Sequence, residues 1–251
     1  TLMRSSAASD VYKRQILNYM IDIDTSVFLF LNGFHSSFWD CFMSMYSGRF
    51  IWVPMYATVL FLLYRVFGWK TATVYALAIG LSITVADQAC ATWIRPYVER
   101  LRPSNLDNPL SAFTQVVDGY RGGSYGFPSC HAANSFAFAS FMAMMVSRRG
   151  FTLFIVLWAI LNCYTRVYLG VHYPGDLLVG TVIGVAVGCG VFCVARFVAS
   201  LIDSVAPRMR SWKLTVAGRV MRFHDTAVTV AAGLLTVLYI TIVSALRCLS
   251  A

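Results

Sequence analysis

Apolar runs of membrane-spanning length are the feature that most restricts what this chain can fold into. Six are clear, at about residues 50–67, 71–94, 131–146, 151–168, 176–199 and 225–246. A seventh, 25–46, is mixed, because Val27 to Leu31 are followed by Asn32, Gly33, His35 and Asp40. A hydrocarbon core takes roughly 20 helical residues to cross, and in lipid the backbone must close its own hydrogen bonds, so these runs are expected to be helices. The mixed stretch either crosses weakly or lies in the interface. Of 251 residues, 58% are hydrophobic and 12% charged, about half the charged share of a soluble domain. A water-soluble globule of this size would lack the polar surface to cover itself. The expected fold class is therefore all-α, a polytopic membrane helix bundle.

The net charge of +9 does not point to nucleic acid. A basic stripe interleaved with stacking aromatics is missing, and most cations lie in short loops between apolar runs, where anionic lipid headgroups account for them. The seven cysteines form no CxxC pair and sit mostly inside apolar runs, which suits small buried hydrophobes better than a disulfide framework or zinc site. Residues 1–15 are polar and lack the apolar core of a signal peptide. They are expected to be a non-native or disordered leader that adds nothing to the fold. The chain shows no internal repeat and no second domain.

Three short polar clusters interrupt the apolar pattern: Arg95-x6-Arg102-Pro103, Pro128-Ser129-Cys130-His131, and Arg166-x5-His172-x3-Asp176. The first two bracket a long non-membrane stretch, 95–130, which ends in a glycine-rich run from Gly119 to Gly126. Loops of that length are usually functional or disordered, and two clusters in one loop favour function. Segment parity puts all three clusters at one membrane face. The opposite loops carry Arg65 and Lys70, then Arg148 and Arg149, then Arg208, Arg210, Lys213, Arg219 and Arg222. By the positive-inside rule that face is cytoplasmic and the clusters are extracytoplasmic.

Arg95, Arg102 and Arg166 offer planar forks suited to phosphate oxygens, and all remain charged at any working pH. Three cations at one site repel one another unless an anion joins them. Glu99 could pair with one as a structural bridge. Ser129 stands at the N-cap of the run that starts near His131, where unpaired N–H groups and the helix dipole favour phosphate. The plainer reading is a capped helix. Asp176 could accept the proton of one His172 ring nitrogen and leave the other free to attack, so one histidine would be the nucleophile and the other the general acid. His131, His172 and Asp176 could also hold zinc, but crowding a dication with arginines is costly, and no metal or cofactor is expected. His35 and His224 are expected to be solvated or interfacial. Asp87, with Ser82, Thr84 and Gln88 in an apolar run, leaves a transporter as the alternative; otherwise Asp87 pairs within the bundle.

These three clusters resemble the type 2 phosphatidic acid phosphatase superfamily, whose pattern reads Lys-x6-Arg-Pro, Pro-Ser-Gly-His and Ser-Arg-x5-His-x3-Asp. Order, internal spacing and position relative to the apolar runs all agree. The resemblance implies a six-helix membrane phosphatase core, here residues 16–203, leaving 204–251 as a basic cytoplasmic link and an extra C-terminal transmembrane helix. It implies hydrolysis through a phosphohistidine: His172 as nucleophile, Asp176 orienting it, His131 protonating the departing oxygen and later activating water. Arg95, Arg102, Arg166, Ser129 and the Cys130 N–H would bind phosphoryl oxygens, without metal. Three positions depart from the pattern, Arg95 for lysine, Cys130 for glycine and Thr165 for serine, and none removes a reacting group. The expected partner is a lipid phosphate, in a bacterial inner membrane with the site on the extracytoplasmic face. Undecaprenyl diphosphate is the preferred substrate at this point, with phosphatidylglycerophosphate, phosphatidic acid and lipid A as runners-up. Tyr120, Tyr125 and Phe127 are candidates to line the substrate's access path or to anchor the interface.

Overall fold

A computed structural model describes the backbone of residues 2–146, 148–205 and 223–250 and the side chains of 15–146, 148–201 and 226–250. Among these the chain forms α1 (Leu2–Asn32), α2 (Ser37–Tyr46), α3 (Val53–Gln88), α4 (Arg95–Val98), α5 (Cys130–Val146), α6 (Arg149–Tyr168), α7 (Pro174–Val205) and α8 (Phe223–Ser250), with a π-helical stretch at Ala89–Ile94. The all-α expectation holds. Stretches Phe50–Val98, Arg149–Tyr168, Pro174–Leu201 and Thr226–Ser250 are long and apolar enough to cross a membrane, and Cys130–Val146 is a shorter apolar helix.

The 49 residues of Phe50–Val98 would reach about 74 Å as one straight helix, more than twice a hydrocarbon core. Gly68 resolves this. Its φ of 74° and ψ of 166° break α3, a backbone state that glycine adopts without steric penalty. The two arms then run antiparallel. Tyr64 Oη meets Thr73 Oγ1 at 3.3 Å, and Tyr56 and Tyr75, one from each arm, pack edge to face on Phe138 and Phe141, neighbours one turn apart on α5. The separate runs 50–67 and 71–94 of the sequence are these two arms.

At the centre stands α5, with Ala132, Ala133, Ala137, Ala139 and Phe141 all 0% exposed. It can be central because Gly180, Gly184 and Gly188 form a stripe along α7, where any Cβ would run into the main chain of Ser129, Ala133 and Ala137 respectively. Small residues let two membrane helices touch backbone to backbone, and dispersion then replaces the hydrophobic drive that lipid cannot supply. Below this seam lies an aromatic core in which Trp52, Tyr46, Trp158 and Phe138 pack edge to face. Trp52 Nε1–H donates to Tyr46 O at 2.9 Å, so the indole is buried with its one donor satisfied.

The mixed stretch 25–46 proves to be two helices, with a break at residues 33–36. Both of its ends touch the same face of the bundle: Asp24 pairs with Arg100 at one end, and Ser47 accepts a hydrogen bond from Arg166 at the other. A segment that starts and finishes at one face does not cross, so residues 24–47 stay at that face. Asn32 pins them there, donating through Nδ2 to Gln115 O, Val167 O and Tyr168 O and accepting Gln115 N–H at 2.8 Å. His35 is part of the same brace rather than solvated, because Asp40 and the Tyr168 carbonyl hold its two ring nitrogens at 2.7 and 3.1 Å. Helix α1 runs back to Leu2 through the expected leader, with residues 15–23 exposed. The His224 side chain and the basic link 207–222 lie outside the described residues. Helix α8 packs on α2 and α3.

Candidate active site

His172 lies in the turn between α6 and α7. Gly170, with φ 74°, makes that turn, since a Cβ would sit 2.7 Å from Gln115 O and from Thr114 Cγ2. Pro174 occupies the first position of α7, where its missing N–H costs nothing. Asp176, in the first turn, reaches back to the Tyr173 N–H at 3.1 Å, as an acidic residue does in a capping box. The start of α7 thus aims a carboxylate at the histidine beside it. His172 Nδ1 lies 3.3 Å from Asp176 Oδ2, and Nε2 lies 3.2 Å from Arg102 Nη1. A carboxylate only accepts and a guanidinium only donates, so Nδ1 carries the proton and Nε2 presents its lone pair. Burial, followed by the charges of Arg102, Arg166 and Arg95, holds the His172 imidazole well below the ordinary histidine range. It is neutral at working pH.

The three sequence-predicted arginines converge on this histidine. Arg102 donates to Tyr125 O at 3.1 Å and Val171 O at 3.2 Å. Burial and the neighbouring Arg95 and Arg166 bring its pKa down to about 10, which leaves it charged. Arg95 donates through Nη2 to Pro128 O and to Cys130 Sγ, both at 2.9 Å. Arg166 donates to Ser47 Oγ and to Tyr120 Oη. Burial raises the Tyr120 phenol, but the hydrogen bond and charge of Arg166, with Arg102 and Arg49, outweigh it and the net shift is down. Arg95 Nε and Arg166 Nε are buried with no acceptor, which costs on the order of 1–3 kcal/mol each. An arriving oxyanion would relieve both. Among the described residues none of these three arginines pairs with a carboxylate, so the bridge to Glu99 considered from sequence does not form.

Ser129 is fully buried. Its N–H donates to Asp176 O at 3.0 Å, and its hydroxyl caps α5 weakly, accepting Ala132 N–H at 3.5 Å. His131, the second residue of α5, lies beside the Ser47 main chain, in the field of Arg166, His172 and Arg49. Gly126 closes the site from the loop side. Its N–H donates to Arg100 O at 2.9 Å, and Ser124 O accepts Arg102 N–H at 3.1 Å, so residues 124–126 run antiparallel to 100–102. The long loop is ordered, and it folds back over the histidine. Asp87 accepts from Asn134 Nδ2 at 2.8 Å, so of the two sequence readings of this residue the structure has it paired within the bundle.

Sequence reasoning passed over Arg100 and Asp24. Arg100 donates to Asp176 Oδ1 at 2.9 Å and to Asp24 Oδ2 at 2.7 Å, with its guanidinium 3.7 Å from the Tyr173 ring centroid. A signal was present, since Arg100 sits inside the Arg95-x6-Arg102 spacer. Its partner on α1 is remote in sequence and could not be inferred.

All eight predicted site residues therefore lie at one end of the bundle. The PAP2 superfamily pattern matches residues 71–200, which include the three clusters. A lipid A 4'-phosphatase of Bacteroides thetaiotaomicron is 47% identical over 91% of this chain and 98% of its own. A lipid A 4'-phosphatase of Porphyromonas gingivalis is 32% identical over 73% of this chain and 78% of its own. An undecaprenyl-diphosphatase of Sulfolobus acidocaldarius is 28% identical over 57% of this chain and 63% of its own. With that agreement over nearly the whole length, and with an arginine-lined histidine inside a membrane bundle, the chain belongs to the PAP2 superfamily and is a membrane lipid phosphatase.

Proposed function

We propose that this enzyme removes the 4'-phosphate of lipid A, working at the extracytoplasmic face of a bacterial inner membrane through a phosphohistidine on His172. The observation that carries the chemistry is the state of His172: neutral, with Nδ1–H on Asp176 and the Nε2 lone pair turned into a cluster of three arginines. The preference for lipid A over undecaprenyl diphosphate, the substrate favoured from sequence, rests on similarity at 47% identity over 98% of the Bacteroides protein against 28% over 63% of the archaeal one.

In the first step Nε2 attacks phosphorus, and the N–P bond forms as the bond to the sugar oxygen breaks. His131, protonated once the bound phosphate dianion offsets the surrounding arginine charges, gives that oxygen its proton and is left as the neutral ring. Arg102 now bonds to Nε2 and must turn from it onto a phosphoryl oxygen, while Arg95 and Arg166 bring unpaired Nε–H groups to the other oxygens. Such donors act best where charge develops in a water-poor site. The N–H groups of Ser129 and Cys130 lie at the positive end of α5; that of Ser129 is held by Asp176 O, which leaves Cys130 N–H as the main-chain donor. In the second step His131 takes a proton from water, the hydroxide oxygen bonds to phosphorus, and His172 leaves as the neutral imidazole. Asp176 stabilises the charge on the ring in both steps. No metal takes part, because the arginines already supply the positive charge.

Sidedness is supported by the lysine and arginine distribution: Arg65, Lys70, Arg148 and Arg149 lie at the bundle end away from His172. Phosphate release by the full chain in detergent, from lipid A, undecaprenyl diphosphate, phosphatidylglycerophosphate and phosphatidic acid, tests the reading. Lipid A is expected to lose one phosphate, from the 4' position by mass spectrometry, fastest of the panel, and His172→Ala to lose at least about 10³-fold in kcat. Intact lipid A beside hydrolysed undecaprenyl diphosphate would overturn the substrate. An active His172→Ala protein would overturn the nucleophile.

A further inference from the structure

We propose that Arg100 is a positioning residue, clamped between Asp24 of α1 and the ring of Tyr173 so that it fixes Asp176 and, through it, His172. The proposal rests on the reading of His172 as nucleophile. Arg95, Arg102 and Arg166 pair with no carboxylate among the described residues, whereas Arg100 pairs with two. One prong, Nη1, goes to Asp176 Oδ1 at 2.9 Å and the other, Nη2, to Asp24 Oδ2 at 2.7 Å. The face of the guanidinium rests on Tyr173, 3.7 Å from the ring centroid. That ring is itself fixed, because Tyr173 Oη accepts Asn108 Nδ2–H at 3.0 Å. Four arginines in one site thus divide: three stay open to an oxyanion and the fourth holds the carboxylate.

Only a rigid planar fork can satisfy two carboxylates and an aromatic face together; an ammonium is a point charge on a flexible stem. Asp176 is 0% exposed, and a buried charge that loses its partner is strongly unfavourable. Asp24 anchors the far end. Its Oδ1 accepts Gly175 N–H at 2.7 Å, and a Cβ on Gly175 would lie 2.9 Å from Asp24 Oδ2, so glycine is what allows α1 to reach the start of α7. The contacts Asp24–Arg100–Asp176–His172 link the surface helix α1 to the nucleophile, and Asp24 lies outside the matched residues 71–200.

The test compares Arg100→Ala, Arg100→Lys, Asp24→Asn and His172→Ala with the parent, as full chains in detergent on the substrate that the parent turns over. Arg100→Ala is expected to lower kcat about 10²-fold, the scale on which a misplaced reacting group acts, with KM within about 3-fold. Arg100→Lys should recover about 10-fold of that loss, Asp24→Asn should lose about 10-fold, and millimolar guanidinium should partly restore Arg100→Ala, which a purely structural role would not allow. A folded Arg100→Ala protein with parental kcat, or with its loss confined to KM, overturns the proposal. Should the alanine variant fail to accumulate, parental kcat in both Arg100→Lys and Asp24→Asn overturns it equally, and a kcat loss in both supports it. Turnover by His172→Ala, or none by the parent, would instead sink the underlying reading of the nucleophile.

Discussion

Gly126 shows how narrowly the site is built. A Cβ there would lie 3.1 Å from Asp176 Oδ2, 3.2 Å from Arg102 Cγ and 3.5 Å from His172 Nδ1. Alanine would therefore press on Asp176, Arg102 and His172 together, while its own N–H stays bonded to Arg100 O. The expected result for Gly126→Ala is a kcat about 10- to 100-fold lower with the thermal midpoint little changed, since displacements well under 1 Å suffice. Steady-state kinetics beside a melting curve checks it, and an unchanged kcat would show that the loop does not set the geometry. The proposed reacting groups could be picked out in sequence because their spacing is local: His172 and Asp176 are four residues apart. Gly126 was legible only as one glycine in a run.

At the scale of elements, the α5–α7 seam carries the site, since Ser129, Cys130 and His131 begin one helix and Asp176 the other. Gly184 faces the Ala133 main chain too closely for any side chain, whereas Gly190 has open space where a Cβ would go. Gly184→Val is expected to destabilise the protein by about 1–3 kcal/mol or more through overpacking, and Gly190→Ala to be neutral or slightly stabilising, as helix propensity dictates. Thermal unfolding in detergent separates them, and equal midpoints would mean that the helices have room to part. Gly180-x3-Gly184-x3-Gly188 lie on one helical face, but their spacing by itself names no partner. Small residues mark a close contact without naming the surface that fills it. The same limit hid the course of α1 and α2: Asn32, His35 and Asp40 were visible as polar intrusions, yet only their bonds to Tyr168 and Gln115 explain why the chain stays at the surface.

For the whole molecule, the decisive issue is which end faces which compartment. Leu106, 75% exposed, lies in the loop over the site, and Arg149, exposed, begins α6 at the other end. With the exposed Cys193 and Cys248 changed to serine, Leu106→Cys in intact cells is expected to react with a membrane-impermeant maleimide and Arg149→Cys only after lysis. The reverse pattern would put the site in the cytoplasm and remove the support that the positive-inside count lends to an extracytoplasmic substrate.

Composition and the spacing of apolar runs determined that this chain is a helical membrane bundle, because lipid leaves a backbone few other choices. Three short motifs determined that it handles phosphate, because each places its reacting groups within one or two turns of each other. Only the tertiary structure decided that the 25–46 stretch stays at one face, that α5 can sit at the centre against a glycine seam, and that Arg100 serves a carboxylate rather than the substrate. Those outcomes depend on pairs such as Asp24 with Arg100, 76 residues apart, or Asn32 with Tyr168, 136 apart. Contacts at such separations are set by how helices pack, and a local pattern carries no record of them.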